Sequence, residues 1–332
     1  MHEAYFYIKH EDGSIQCELC PHNCKLKEGQ WGICNVRMRK GDKIFDEGYG
    51  RISSLALDPV EKKPLYHFYP GAQILSVGGL GCNFNCNFCQ NHTISQIKHE
   101  VLAGAEVYSP EEIVNAVLSR EPLAGIAFTY NEPMINFDFM LDTATLAKTY
   151  NIPTAVVSNG YVNSKPLKDL IEVTDAFNID LKGFSDRFYK KFAGGRLQPV
   201  IDALEQIAAS GRLLEVTHLV VTDANDDMQE FAQMIDWIHK HLGPDTPFHI
   251  SRYYPHFNYN QPATEVSLID DFVKKAKEKL NFVYPGNIHT DASTYCPQCG
   301  ARIIKRSGYS THAPGLSQNR CLKCKYELPI II

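Results

Sequence analysis

The chain has 332 residues, 44% of them hydrophobic and 21% charged, with a formal net charge of −5, which is enough apolar material for one large domain with additions or for two domains. No apolar run approaches the roughly 18 residues that span a bilayer, and the opening MHEAYFYIKHEDG lacks the basic and apolar regions of a signal peptide, so no membrane contact and a cytoplasmic location are expected. The acidic balance argues against general nucleic-acid binding.

The first 45 residues carry little apolar periodicity but contain Cys17, Cys20, Cys24 and Cys34, spaced C-x2-C-x3-C-x9-C. This set suits either a structural zinc or an auxiliary iron–sulfur cluster, with His22 as a substitute ligand. The run VEKKPLY (60–66) reads as a solvated turn or as a holder of an anionic substrate. A short apolar strand at 73–79 then runs through Gly78 and Gly79 into GCNFNCNFC, which places Cys82, Cys86 and Cys89 at C-x3-C-x2-C spacing. A [4Fe–4S] cluster needs a ligand on each of four irons, so three local thiolates leave one iron open to a group that is not protein. A zinc completed by His92 is the alternative.

From here strands and helices alternate. A helix at 109–120 opens with Ser109, Pro110 and Glu112, a capping box with proline at the first position; a strand at 125–130 ends in Asn131 and Glu132; a helix follows from a cap at Asn136 to 150. The strand at 153–159 ends in Ser158 and Asn159, and the strand at 176–182 carries Asp180 and Lys182. The strand at 213–221 carries His218, and the strand at 248–254 carries His249, Ser251 and Arg252. Helices are predicted at 166–173, 198–211, 225–241 and 264–280, with Gly211 as a stop. The aromatic segment RYYPHFNY (252–259) lines a pocket or closes the barrel bottom or edge. The tail holds Cys296, Cys299, Cys321 and Cys324 at C-x2-C-x21-C-x2-C, a strong signal for a tetrahedral four-sulfur site in which zinc is favoured over iron.

Six strand–helix units in strict alternation imply an α/β fold with a parallel sheet, either doubly wound or a full or partial barrel. Reactive groups then belong at the carboxyl ends of the strands.

CNFNCNFC resembles the signature of the radical SAM superfamily. The resemblance implies a partial (β/α)6 TIM-type barrel over residues 46–290, flanked by Cys-rich segments at 1–45 and 291–332. It implies that S-adenosylmethionine (SAM) chelates the open iron of a [4Fe–4S] cluster on Cys82, Cys86 and Cys89. Phe88 matches the aromatic near the adenine, and Gly79 belongs to the same cofactor-binding rim. Glu132 in TYNEP resembles the acidic group that holds the SAM amino group, and Ser158 and Asn159 in SNG resemble SAM contacts. Asp180 and Lys182 in DLKG match a motif of pyruvate formate-lyase activating enzymes near the SAM carboxylate, with His249 in a similar part.

The segments CELCPHNCKLKEGQWGICNVR, DPVEKKPLYHFYPG and TYCPQCGARIIKRSGY extend the likeness to AmmeMemoRadiSam-system radical SAM enzymes, which implies Memo-type and AMMECR-type proteins as partners. Two features depart from the activating enzymes: QN follows the third cysteine in place of HN, and two extra cysteine segments are present. The implied reaction is reductive cleavage of SAM to a 5′-deoxyadenosyl radical that abstracts hydrogen from a small-molecule or protein substrate, fed by a ferredoxin- or flavodoxin-type donor. Glycyl-radical activation is the alternative within this chemistry. A Cys-rich binding module that reads RNA through its zinc-ribbon tail is the alternative outside it.

Overall fold

The computed structural model describes residues 1–120 and 122–332. Its frame is an eight-stranded sheet of β1 (Ser54–Pro59), β2 (Gln73–Gly78), β3 (Ile126–Phe128), β4 (Thr154–Ser158), β5 (Ala176–Asp180), β6 (Leu213–Val220), β7 (Phe248–Arg252) and β8 (Val283–Gly286). The strands lie side by side in sequence order. β2 to β8 run parallel, and β1 runs antiparallel to β2. Among the described residues the edge strands β1 and β8 do not pair, so the sheet stays open, as a partial barrel requires.

The six predicted strands are β2 to β7. Their near-continuous apolar runs reflect burial on both faces. β1 and β8 go beyond the prediction. β8 contains Pro285, which reads against a strand, yet an edge tolerates the missing donor.

The helices are α1 (Pro110–Leu118), α2 (Phe137–Thr149), α3 (Ser164–Ile171), α4 (Leu197–Ala209), α5 (Met228–His241) and α6 (Val266–Lys277). The capping box of α1 forms as its sequence predicts: Ser109 Oγ accepts from Glu112 N at 3.2 Å, and a Glu112 carboxylate oxygen accepts from Ser109 N at 2.7 Å. Gly211 stops α4 at φ +73°. Asn136 does not cap α2. Its Oδ1 accepts from Asn131 Nδ2 at 3.2 Å, and Glu132 instead caps a preceding 3-10 turn over Pro133–Asn136. α5 starts at Met228 rather than 225 because Asp227 supplies the cap, accepting from Glu230 N at 2.7 Å.

The sheet's helix-covered face builds the main core. Its other face carries Ala127, Ala155 and Ala176 on adjacent strands, and these small side chains leave room for Val60, Leu65 and Phe68. VEKKPLY is therefore no solvated turn: it plugs the sheet. Glu61 and Lys63 are only 3% and 2% exposed. A buried charge needs a partner, and Lys63 Nζ finds Asp58 at 2.7 Å while Glu61 accepts from Gly71 N at 2.9 Å. Asn178 Nδ2 donates to Pro64 O and a Glu215 carboxylate oxygen accepts from His67 N, which ties the plug to β5 and β6.

Both terminal segments dock on this frame. The tail reaches the plug through Ile331 N to His67 O (2.8 Å) and Arg306 to Tyr66 O (2.6 Å). The N-terminal segment forms two small antiparallel sheets. Its Arg37, 1% exposed, pairs with Asp138 of α2 and donates to Tyr5 O at 2.7 Å.

His67 is fully enclosed, its ring nitrogens 3.0 Å from Pro329 O and 2.7 Å from Tyr284 Oη, and burial holds it down to about 4. A histidine depressed in the folded state contributes stability above its unfolded value near 6.5 and loses it as pH falls toward about 4. His67 therefore works against stability as pH falls from about 7 to about 5, and over that interval the urea midpoint of His67→Gln, relative to its own pH 7 value, should lie above that of the parent protein.

Candidate active site and metal centres

The cysteine loop leaves the carboxyl end of β2 through a passage that only glycine fits. A Cβ on Gly79 would lie 2.2 Å from Asn136 Oδ1, and one on Gly81, at φ +86°, would lie 2.6 Å from Cys34 O. Gly79 N donates to Asn131 Oδ1 at 3.0 Å, so this residue shapes the turn. The loop is then pinned from several elements. Asn83 Nδ2 donates to Tyr161 O (2.8 Å), Gln96 Nε2 to Phe84 O (2.9 Å), Asn85 N to Ala193 O (2.9 Å) and Asn258 N to Asn87 O (2.9 Å).

Burial raises the Cys82 thiol well above its usual range and pushes Cys86 up to about 12. Such sulfurs become thiolates only beside strong positive charge. Among the described residues no three of these sulfurs gather within 4.8 Å, and His92 joins no such group. His92 stacks on Phe257 instead, with ring centroids 4.5 Å apart.

The strand ends meet this loop. Glu132, 2% exposed beyond β3, accepts from Ser158 Oγ (2.7 Å), Asn159 N (2.7 Å) and Met134 N (2.9 Å). Asn159 Nδ2 continues to Asn83 Oδ1 at 2.8 Å and lies 3.9 Å from Cys82 Sγ. Burial lifts the Glu132 carboxyl to about 7. At the end of β5, Lys182 Nζ and Asp180 Oδ2 lie 2.6 Å apart. Burial works against the Lys182 charge, but Asp180 and the Cys86 sulfur outweigh it and hold the ammonium above its ordinary value. Phe88, 4% exposed, packs near Phe188 and Tyr259, with centroids 6.1 and 6.4 Å away. Tyr259 brings RYYPHFNY against the loop, so that segment closes the carboxyl rim and not the barrel bottom.

His249 does not join this group. It is the second residue of β7, and its Nε2 lies 2.6 Å from a Glu215 carboxylate oxygen while Tyr66 of the plug meets its ring edge-on. Its position near the amino end of the strand sends it to the plug network and away from the rim. His218 packs among Phe231 and Phe248, with Nδ1 2.9 Å from Leu181 O.

Asn83 and Tyr130 are site residues that the sequence motifs do not single out, whereas Asn131 stands at the strand end where it is expected. Asn83 sits inside the cysteine signature, where spacing draws the eye to sulfur. Tyr130 holds φ +74°, and its Oη donates to Asp58 while Lys63 Nζ lies 3.9 Å from its ring centroid. The strain of a tyrosine at positive φ leaves no mark in TYNEP.

In the tail, Cys296, Cys299, Cys321 and Cys324 gather within 4.8 Å of one another, with the Cys296–Cys324 sulfurs 3.5 Å and the Cys299–Cys321 sulfurs 3.8 Å apart. The four-sulfur site expected here is thus assembled. Backbone N–H groups led by that of Cys324 draw the Cys321 thiol down to about 7. Cys299→Ser should release this site's metal on brief chelator treatment that spares the parent protein, and limited proteolysis should then cut within residues 291–332.

The family model described as the radical SAM superfamily matches residues 77–238. An uncharacterised protein of Methanocaldococcus jannaschii is 38% identical over 338 aligned residues, covering 100% of each chain. The pyruvate formate-lyase-activating enzyme of Clostridium pasteurianum is 24% identical over 163 residues, 47% of this chain and 66% of that one. A radical SAM methyltransferase from Sphaerobacter thermophilus has a similar fold, with a TM-score of 0.53 at 13% identity over 84% of this chain and 75% of that one. The matched segment opens on β2, immediately ahead of the cysteine loop, and runs into α5, so it spans the strand ends that meet that loop: this chain belongs to the radical SAM superfamily of enzymes.

Proposed function

We propose that Cys82, Cys86 and Cys89 hold a [4Fe–4S] cluster and that the rim formed by Gly79, Phe88, Glu132, Ser158, Asn159, Asp180 and Lys182 receives SAM at its open iron. The observation that carries this reading is the chain of hydrogen bonds from Glu132 through Asn159 to Asn83, because it fixes a buried carboxylate beside the three-thiol loop. The donor set suits the cluster: three thiols on one loop, Cys86 buried and Cys82 and Cys89 half-buried, that do not gather as closely as the four around one tetrahedral ion. With both cofactors bound, the chemistry supplied is one-electron reductive cleavage of SAM to methionine and a 5′-deoxyadenosyl radical, which takes hydrogen from the substrate.

The protein's own residues position the reactants. An ionised carboxylate offers about four lone-pair sites. Ser158, Asn159 and Met134 occupy three on Glu132, which leaves one for the SAM ammonium. Lys182, kept positive by Asp180, faces the opposite requirement and suits the SAM carboxylate. The Phe88 cluster presents apolar surface to the adenine and keeps water from the loop.

In this reading residues 46–290 form the catalytic unit, with Cys-rich segments at 1–45 and 291–332. The C-terminal set holds structural zinc: a Zn–S length of about 2.3 Å in a tetrahedron sets sulfurs about 3.8 Å apart, in line with the observed 3.5 and 3.8 Å. A ferredoxin- or flavodoxin-type protein supplies electrons. Memo-type and AMMECR-type partners rest on the resemblance alone. Glycyl-radical activation is a second reading, favoured by the likeness to the Clostridium pasteurianum activating enzyme.

Anaerobic reconstitution with dithionite and SAM should release 5′-deoxyadenosine, and Cys89→Ala should release none. A fully loaded parent protein that releases none would overturn the proposal. Glu132→Gln removes a charge-assisted hydrogen bond of about 1.5–3 kcal/mol, so SAM should bind about 10- to 100-fold more weakly by equilibrium dialysis.

A further inference from the structure

We infer that Cys17, Cys20, Cys24 and Cys34 hold a second iron–sulfur cluster, not zinc, and that this cluster relays electrons to the cysteine loop. The three cysteine sets of this chain provide an internal comparison. The C-terminal sulfurs crowd within 4.8 Å of one another, as a single tetrahedral ion requires. Among the described residues, no three sulfurs of the N-terminal set come that close, and neither do those of the loop at Cys82. All four N-terminal thiols nevertheless line one enclosed cavity, together with Gly32, Ile135 and Arg37. Thiols that share a cavity yet stand wider than one ion can bridge suit a ligand of several metal atoms.

The walls fit such an occupant. Gly32 borders two of the thiols: a Cβ there would stand in ordinary contact with them, 3.7 Å from Cys34 Sγ and 3.9 Å from Cys24 Sγ, so the glycine leaves that part of the wall free of side chain. Arg37 lines the same cavity with Nη1 3.9 Å from Cys17 Sγ, and its buried Nε has no hydrogen-bond partner. A fixed guanidinium there offsets the negative charge that thiolates and sulfide bring into a buried site.

The set is complete at four cysteines, so no iron is left open for substrate, and the position supplies a different use. The Cys34 carbonyl packs directly on Gly81, the residue before Cys82. His22, two residues after Cys20, places Nε2 2.8 Å from the carbonyl oxygen of Asn83, the residue after Cys82. The N-terminal segment thus touches the loop on both sides of its first cysteine. On the outer side Ile33 is 58% exposed next to Cys34, so an external donor can approach. In the relay step the N-terminal cluster loses one electron and the cluster on Cys82, Cys86 and Cys89 gains it, with no bond made or broken. A low-potential one-electron donor of the ferredoxin or flavodoxin class then restores the first. The relay rests on the reading of the Cys82 loop given above; the identity of the N-terminal occupant does not.

The full-length triple variant Cys82→Ala, Cys86→Ala, Cys89→Ala separates the two. After anaerobic reconstitution it should retain iron and sulfide, give an EPR signal on reduction by dithionite, and hold zinc for the C-terminal set alone. Zinc sufficient for both outer sets, with no iron, overturns the assignment. In the parent protein mixed with less than one equivalent of reduced flavodoxin, freeze-quench EPR should show the N-terminal signal first and the loop signal growing as it decays. Simultaneous or reversed reduction overturns the relay. A triple variant that retains iron, beside a parent that releases no 5′-deoxyadenosine, would sink the SAM-cleavage reading and leave the N-terminal cluster standing.

Discussion

A buried carboxylate organises this protein. Glu132 is enclosed, and the three hydrogen bonds that make its enclosure tolerable come from two places: Met134 on its own turn, and Ser158 with Asn159 at the end of the next strand. Because an unpaired buried charge is so costly, these partners are obligatory, and together they fix where β3 and β4 end relative to each other. Asn159 then passes the constraint to Asn83 and so to the cysteine loop. Three segments far apart in sequence are held in register by one ionisable group, which is the kind of preorganised shell a reactive site needs.

The same rule governs the other end of the sheet. Three alanines on neighbouring strands open a hollow, and the loop over residues 60–72 fills it with apolar side chains and paired charges. Glu215 is the counterpart of Glu132 there, taking His67 N with one oxygen and facing His249 with the other. The C-terminal Cys-rich segment closes over this plug through Ile331 and Arg306. The N-terminal segment closes over the rim, held by Arg37 on Asp138. The two cysteine-rich additions therefore serve opposite ends of one sheet: the first meets the cysteine loop, and the second seals the base.

Much of this was legible beforehand. Alternating apolar runs and amphipathic stretches located six strands and six helices within a few residues, because burial on both faces of a parallel strand and on one face of a helix writes a periodic pattern. Ser109, Pro110 and Glu112 marked a helix start that formed as read, since a capping box is made from neighbours in the chain. The readings that failed depended on non-local partners. Asn136 has the right type for a cap but spends its side chain on Asn131. His249 lies on a strand that ends at the rim, but it sits near the strand's other end, opposite a carboxylate that no spacing rule connects to it. VEKKPLY looked solvated because its composition is charged, and only the alanine hollow explains why it is buried.

The sequence by itself determined six strands and six helices of the alternating core, the grouping of eleven cysteines into three sets, and the family that the cysteine signature announces, all of which depend on residue type and short-range spacing. Only the tertiary structure decided which set of sulfurs gathers compactly, which strand ends face the loop, and which segment covers which end of the sheet. Those are matters of distance between groups remote in the chain. They are settled by packing and by the need of every buried charge for a partner, neither of which has a period or a spacing to read.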